Sequence, residues 1–169
     1  PDCYRSWANQ EVIKIRSPGS TRPWQHVLEP ISGYLSLAAK LDKSVIIDNG
    51  EAFNFGPHPE NSYDVSQLVN ALAQRWNEDK KKGTSFAEVQ VDSGTRLFHE
   101  AHLLQLDITK ARHLLKWQPV LSFDEVCDLT SDWYLTSIAD NDKLMELTIE
   151  QINSYEQKLI LQNSLGSTK

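Results

Sequence analysis

VIKIRSPGSTRPWQHVLEP, residues 12–30, is the stretch from which the rest of the chain can be read. Val12, Ile13 and Ile15 open it with the pattern of a short strand. Ser17-Pro18-Gly19-Ser20 breaks that strand with a cluster of turn formers. A helix is expected to start near Glu29-Pro30, because proline is tolerated in a first turn. Between Val12 and Leu28 stand Lys14, Arg16, Arg22 and His26, with no acid, in a chain whose net charge is −6. An arginine fork matches phosphate oxygens, and the indole of Trp24 offers a flat face to a ring. The plain alternative for either arginine is a surface loop tied down by carboxylates.

Arg16-Ser17-Pro18 followed by RPWQHVLEP at residues 22–30 resembles the signature of the CDP-glucose 4,6-dehydratases, with Ser17 in place of the usual asparagine. These are extended short-chain dehydrogenase/reductases, NAD-dependent enzymes acting on nucleotide sugars. Further pieces agree in order: Gly33-Tyr34-Leu35, Leu37-Ala38, Phe53-Asn54-Phe55-Gly56-Pro57, His99-Glu100-Ala101, Leu106-Asp107, Lys110-Ala111, Trp117-Gln118-Pro119 and Trp133-Tyr134. The resemblance runs over about residues 1–155.

Composition sets the bounds. A chain of 169 residues is one domain by the usual prior. With 40% hydrophobic and 24% charged residues it has the balance of an ordinary globular protein. A pI near 5.3 argues against general nucleic-acid or membrane-surface binding. Cys3 and Cys127 have no metal-ligand spacing and read as inert thiols of a reduced, cytoplasmic protein. His99-Glu100-Ala101-His102 misses the zinc pattern HExxH by one residue, so no metal is assigned.

Along the chain, residues 2–10 read as the end of a helix and 12–16 as a strand. Ile31, Tyr34, Leu35, Ala38 and Leu41 have helical spacing over 29–42, and Gly33 among them points to close packing. Val45-Ile46-Ile47 is an apolar run before the turn Asp48-Asn49-Gly50. Residues 52–55 read as a strand closed by Gly56-Pro57. Asp64 or Ser62 caps a helix over 64–77 with the stripe Val65, Leu68, Val69, Leu72 and Trp76. Residues 86–92 alternate as a strand with one wet face, and 103–107 read as another strand. A short helix is expected over 109–115. Ser122, with Glu125 as capping-box partner, opens a helix over 123–139 whose inner face is Val126, Leu129, Trp133 and Ile138. A last helix covers 142–162. Residues 1–163 form the domain and 164–169 a frayed tail.

Two motifs are missing. No two of the seven glycines lie three residues apart, as the dinucleotide fingerprint GxxGxxG requires, and none of the five tyrosines has a lysine four residues later. Because the family carries both motifs in its first half, the resemblance implies an α/β fold that is only the C-terminal, substrate-binding part of a Rossmann-type enzyme. It also implies that NAD and the catalytic groups belong to an N-terminal half. The parent would be a lyase and a homodimer, and this chain would be inactive alone.

The site residues follow. Arg22 is the first choice for a diphosphate ligand and Arg16 the second. Trp24 either flanks the base or sugar or sits in the core. His26 either bonds the ligand or is a satisfied structural histidine. Asn54 offers amide donors and an acceptor where the resemblance places the nucleotide sugar, here a CDP-sugar. Arg96 and His99 fall where related dehydratases place a second diphosphate arginine and a histidine. The competing readings are a nucleotide-sugar-binding module without catalysis, a purely structural piece, or part of a dehydratase or epimerase for another nucleotide sugar.

Overall fold

The computed structural model describes residues 1–42, 50–78, 86–92 and 103–166. The apolar run 45–47, the turns at 48–49 and 93–95, the lysine run 80–82 and the sites Arg96 and His99 lie outside the described residues.

The elements follow in the order α1 (Asp2–Ala8), β1 (Ile13–Ile15), α2 (Leu28–Leu41), α3 (Val65–Glu78), β2 (Val89–Val91), a π-helical turn (Ala111–Leu115), α4 (Phe123–Ala139), a 3-10 turn (Asn141–Lys143) and α5 (Leu144–Gly166). The fold is α/β and mostly helical. β1 and β2 pair in parallel, with Ile13 opposite Val89 and Ile15 opposite Val91. The alternation read in 86–92 holds only in part: Ala87 and Val89 are half-buried and Phe86, Glu88 and Gln90 exposed, but Val91, expected on the covered face, is 53% exposed, and the strand itself is only Val89–Val91.

The main core joins α1, β1, α3 and α4 through Tyr4, Trp7, Ile15, Val69, Leu72, Trp76 and Cys127. The α3 stripe predicted by spacing is therefore the one that is buried. Tyr4 stacks on Tyr134 at 5.1 Å between ring centres, and its hydroxyl meets Ser131 Oγ at 2.5 Å. A second core, Phe55, Ile108, Ala111, Leu115 and Trp117, lies under α2. A third, Leu121, Val126 and Tyr155, joins α4 to α5.

Both expected helix caps are present. Asp64 Oδ1 accepts from the Gln67 N–H at 2.7 Å, and Gln67 returns the bond to Asp64 N–H at 2.9 Å. Ser122 and Glu125 close the capping box of α4. Glu125 also ion-pairs with Lys158 of α5, tying the start of one helix to the flank of the other. α5 runs to Gly166, into the stretch the sequence assigns to the tail.

Three expectations need correction. Residues 52–55 and 103–107 are not strands. They run beside each other without a backbone ladder and are linked by side chains instead. Asn54 Nδ2 donates to the Asp107 carbonyl at 3.2 Å, and Leu104 N–H donates to Thr21 Oγ1 at 3.3 Å. The carbonyls of Ala52 and Phe55 accept from Lys110 Nζ and Gln25 Nε2. Ile138 is exposed at 44%, beyond the last residues of α4 that pack inward, Tyr134 and Leu135 on the main core and Trp133, whose indole donates to Thr148 Oγ1 of α5. The short helix after Thr109 closes as a π turn, stopped by Lys116 in the left-handed region at φ 58°.

The apolar stripe of α2 is largely exposed, although the Tyr34 ring also touches Phe55. Ile31, Tyr34, Leu35 and Leu41 are exposed, while Glu29 and Gly33 are the buried positions of that helix.

Candidate functional site

The loop between β1 and α2 is held by the start of α3. The Ser20 carbonyl accepts from Val65 N–H, and the Pro18 carbonyl accepts from Ser66 N–H, each at 3.0 Å. These bonds satisfy two amides that the first turn of a helix leaves open. Thr21 and Asp64 form an antiparallel bridge beside them. The Pro-Gly turn is thus anchored before Arg22 emerges.

Arg22 is half-buried, less open than a loop arginine was expected to be. Its Nη1 donates to the Thr21 carbonyl at 2.7 Å. The side chain lines a narrow cleft with Pro23, Pro57, His58, Asn61 and Gln105. Of these residues only Arg22 stands out in the sequence as a ligand for an anion. The signal available for the others was the Gly56-Pro57 break followed by a polar loop.

Arg16 is exposed just after β1 and is not among the residues lining that cleft. The Trp24 indole donates to the Tyr63 carbonyl at 2.9 Å, pinning the loop to the residues that lead into α3. His26 is buried, and its Nδ1 accepts from Leu28 N–H at 3.4 Å at the entry to α2. Burial holds the His26 imidazole below its usual pKa, so it is neutral. Both side chains therefore fix the shape of the loop. Asn54 spends one amide donor on Asp107 and stays exposed.

Two buried acceptors in this loop, Ser20 Oγ and Gln25 Oε1, have no hydrogen-bond partner among the described residues. The cleft encloses only about 10 Å³. A small-molecule pocket runs to roughly 300–1,000 Å³, so this cleft does not enclose such a ligand by itself. A separate cavity of about 500 Å³ shares no residue with it. It lies between α3 and α4, and its cations are already paired: Arg75 with Asp128 at 2.5 Å and Lys143 with Asp140 at 3.1 Å.

The described residues do not fit a dinucleotide. β1 does not turn through glycines into a helix, since residues 16–27 separate it from α2, and the first turn of α2 is filled by its own buried Glu29. No helix among the described residues is long and apolar enough to cross a membrane.

Comparison with known proteins agrees with the resemblance seen in the sequence. A family model described as GDP-mannose 4,6 dehydratase matches residues 6–130. A protein of Salmonella typhimurium (strain LT2) named CDP-glucose 4,6-dehydratase is 37% identical over 145 residues, which is 86% of this chain and 38% of that protein. The chain thus spans well under half the length of the relative it matches. The arginine loop, the cleft wall and most of the helical core fall inside the family match, and this chain belongs to the GDP-mannose 4,6 dehydratase family.

Proposed function

We propose that this chain is the part of a CDP-glucose 4,6-dehydratase that grips the nucleotide sugar. The parent enzyme makes a CDP-4-keto-6-deoxy sugar by eliminating water, in the cytoplasm and as a homodimer. NAD, held by the N-terminal half, supplies the removal and return of a hydride in such an enzyme. This chain's own residues bind and orient. The observation that carries the reading is Arg22, presented from an anchored loop into a cleft at the most family-like point of the chain. A planar guanidinium suits the oxygens of a diphosphate. The partnerless acceptors Ser20 Oγ and Gln25 Oε1 support a wall that is completed by something else. Arg96 and His99 are proposed for the same ligand.

A test is calorimetric titration of CDP-glucose, and of CDP alone, into the parent enzyme. A charge-assisted contact is worth roughly 1.5–3 kcal/mol, so Arg22→Ala should weaken binding about ten- to a hundred-fold. Arg22→Lys should recover part of the loss, because lysine keeps the charge but not the planar fork. If Arg22→Ala folds normally and binds both ligands as well as wild type, the reading fails.

A further inference from the structure

A closed set of hydrogen bonds joins the first turn of α2 to α5 and to the segment before α4. Glu29 is 1% exposed. Its Oε1 accepts from two backbone amides, Val120 N–H at 2.9 Å and Leu121 N–H at 2.8 Å. Its Oε2 meets the Tyr155 hydroxyl at 2.8 Å. Tyr155 in turn meets Ser32 Oγ at 2.9 Å, Ser32 Oγ meets the Glu29 carbonyl at 2.8 Å, and the Trp117 indole meets Ser32 Oγ at 2.9 Å.

Counting protons fixes the state of the carboxyl. The Glu29 carbonyl can only accept, so the one Ser32 proton is committed to it. The Trp117 indole can only donate, so it donates to Ser32. The contact between Ser32 and Tyr155 must then use the phenolic proton of Tyr155. With that proton spent, the contact between Tyr155 and Glu29 Oε2 has no hydrogen left except one on Glu29 itself. An ionised Glu29 leaves one of these contacts as two oxygens facing each other without a proton, in a buried site where that is costly.

We propose that Glu29 is a neutral carboxylic acid whose proton buckles α2 to α5, through the chain Glu29 Oε2–H to Tyr155 to Ser32 to the Glu29 carbonyl. The inference does not depend on what the protein binds. Burial also pushes the Glu29 carboxyl above its usual value, against the opposing pull of the Leu121 amide, Tyr155, the Val120 amide and the charge of His58. Apart from His58, in the loop after Gly56-Pro57, the neighbours leave little positive charge to hold an anion. From α5 come Tyr155 and Lys158, the latter paired with Glu125. From the loop before α2 comes His26, neutral through burial. The π turn packed on α2 is preceded by Lys110, paired with Glu51, carries exposed Arg112 and His113, and is followed by exposed Lys116. The segment 117–121 carries no ionisable side chain. A raised folded-state pKa makes this contribution complete below the ordinary glutamate value and lost as pH rises through the folded one. The buckle therefore loosens on the alkaline side.

Carbon-13 NMR of the side-chain carboxyls, with Glu29 assigned by its absence in Glu29→Gln, tests the proposal on the wild-type chain. The Glu29 carboxyl should titrate at least one unit above the exposed glutamates. Titration together with them, or below them, overturns it. Glu29→Gln supplies a second readout. A glutamine amide accepts at Oε1 and donates at Nε2, as the neutral acid does. The variant should match wild type in unfolding temperature at pH 5 and exceed it at pH 8. Hydrogen exchange in α5, corrected for intrinsic rate, should speed up with pH in wild type and not in the variant. A variant less stable than wild type at both pH values, with α5 exchange independent of pH in both proteins, shows an ionised Glu29 and sinks the buckle.

Discussion

Gly33 of α2 faces the ring of Phe55 with no room for a methyl group. A Cβ at Gly33 would stand 2.6 Å from Phe55 Cε1 and Cγ, and nearer still to Cδ1. The ring cannot step aside, because it lies edge-on against Trp117 at 4.9 Å between centres and against Tyr34 at 5.4 Å. This contact lets α2 settle on the second core, where Phe55 is 6% exposed.

Gly33→Ala should therefore destabilise the protein by about 1–3 kcal/mol through overpacking. The helix preference of alanine over glycine, worth roughly 1 kcal/mol, works in the other direction and only trims the loss. Thermal unfolding checks this. A variant as stable as wild type would mean that the helix and the ring are not in this contact.

The start of α4 offers a smaller, pH-dependent effect. Ser122→Ala removes the acceptor for Glu125 N–H and should cost about 0.5–2 kcal/mol. Lys158, with the Ser122 amide, holds the Glu125 carboxyl below its usual range. A lowered folded-state pKa means that this stabilisation is complete above the ordinary glutamate value and is lost as pH falls through the folded one. Glu125→Gln should thus cost stability at pH 7 and little at pH 3, measured by denaturant titration.

The outward stripe of α2 should make the isolated chain sticky. Tyr34 and Leu35 are 61% and 67% exposed on one helix face, beside Ile31 and Leu41. Apolar patches of a few hundred Å² usually mark interaction surfaces. The occupant we expect is the N-terminal half of the parent enzyme. The 169-residue chain should bind a hydrophobic dye and self-associate as concentration rises, and Leu35→Ser with Ile31→Ser should reduce both without loss of helix. A dye-silent monomer over a wide concentration range would argue against an interface here.

Catalysis should be absent from the chain by itself. It lacks the GxxGxxG spacing and a tyrosine with lysine four residues on. Incubation of the purified chain with NAD and CDP-glucose should give no keto sugar above background. Turnover in a preparation free of any longer protein would overturn this expectation.

Much of this protein is set by local rules that a sequence displays. Asp64 with Gln67 and Ser122 with Glu125 are caps closed within four residues, so both helix starts were legible. The α3 stripe faces the core as its spacing requires. The RPWQHVLEP run pointed to the family on residues alone. Other features depend on what lies opposite. Spacing shows which side of α2 is apolar, but not that it is left largely exposed. Residues 52–55 have strand composition, yet a strand exists only with a ladder partner, and their carbonyls are held by Gln25 and Lys110 instead. Glu29 looks in sequence like an ordinary acid of a first helical turn. Its burial follows from hydrogen-bond partners 91, 92 and 126 residues away along the chain, at Val120, Leu121 and Tyr155, and only the folded chain brings these together.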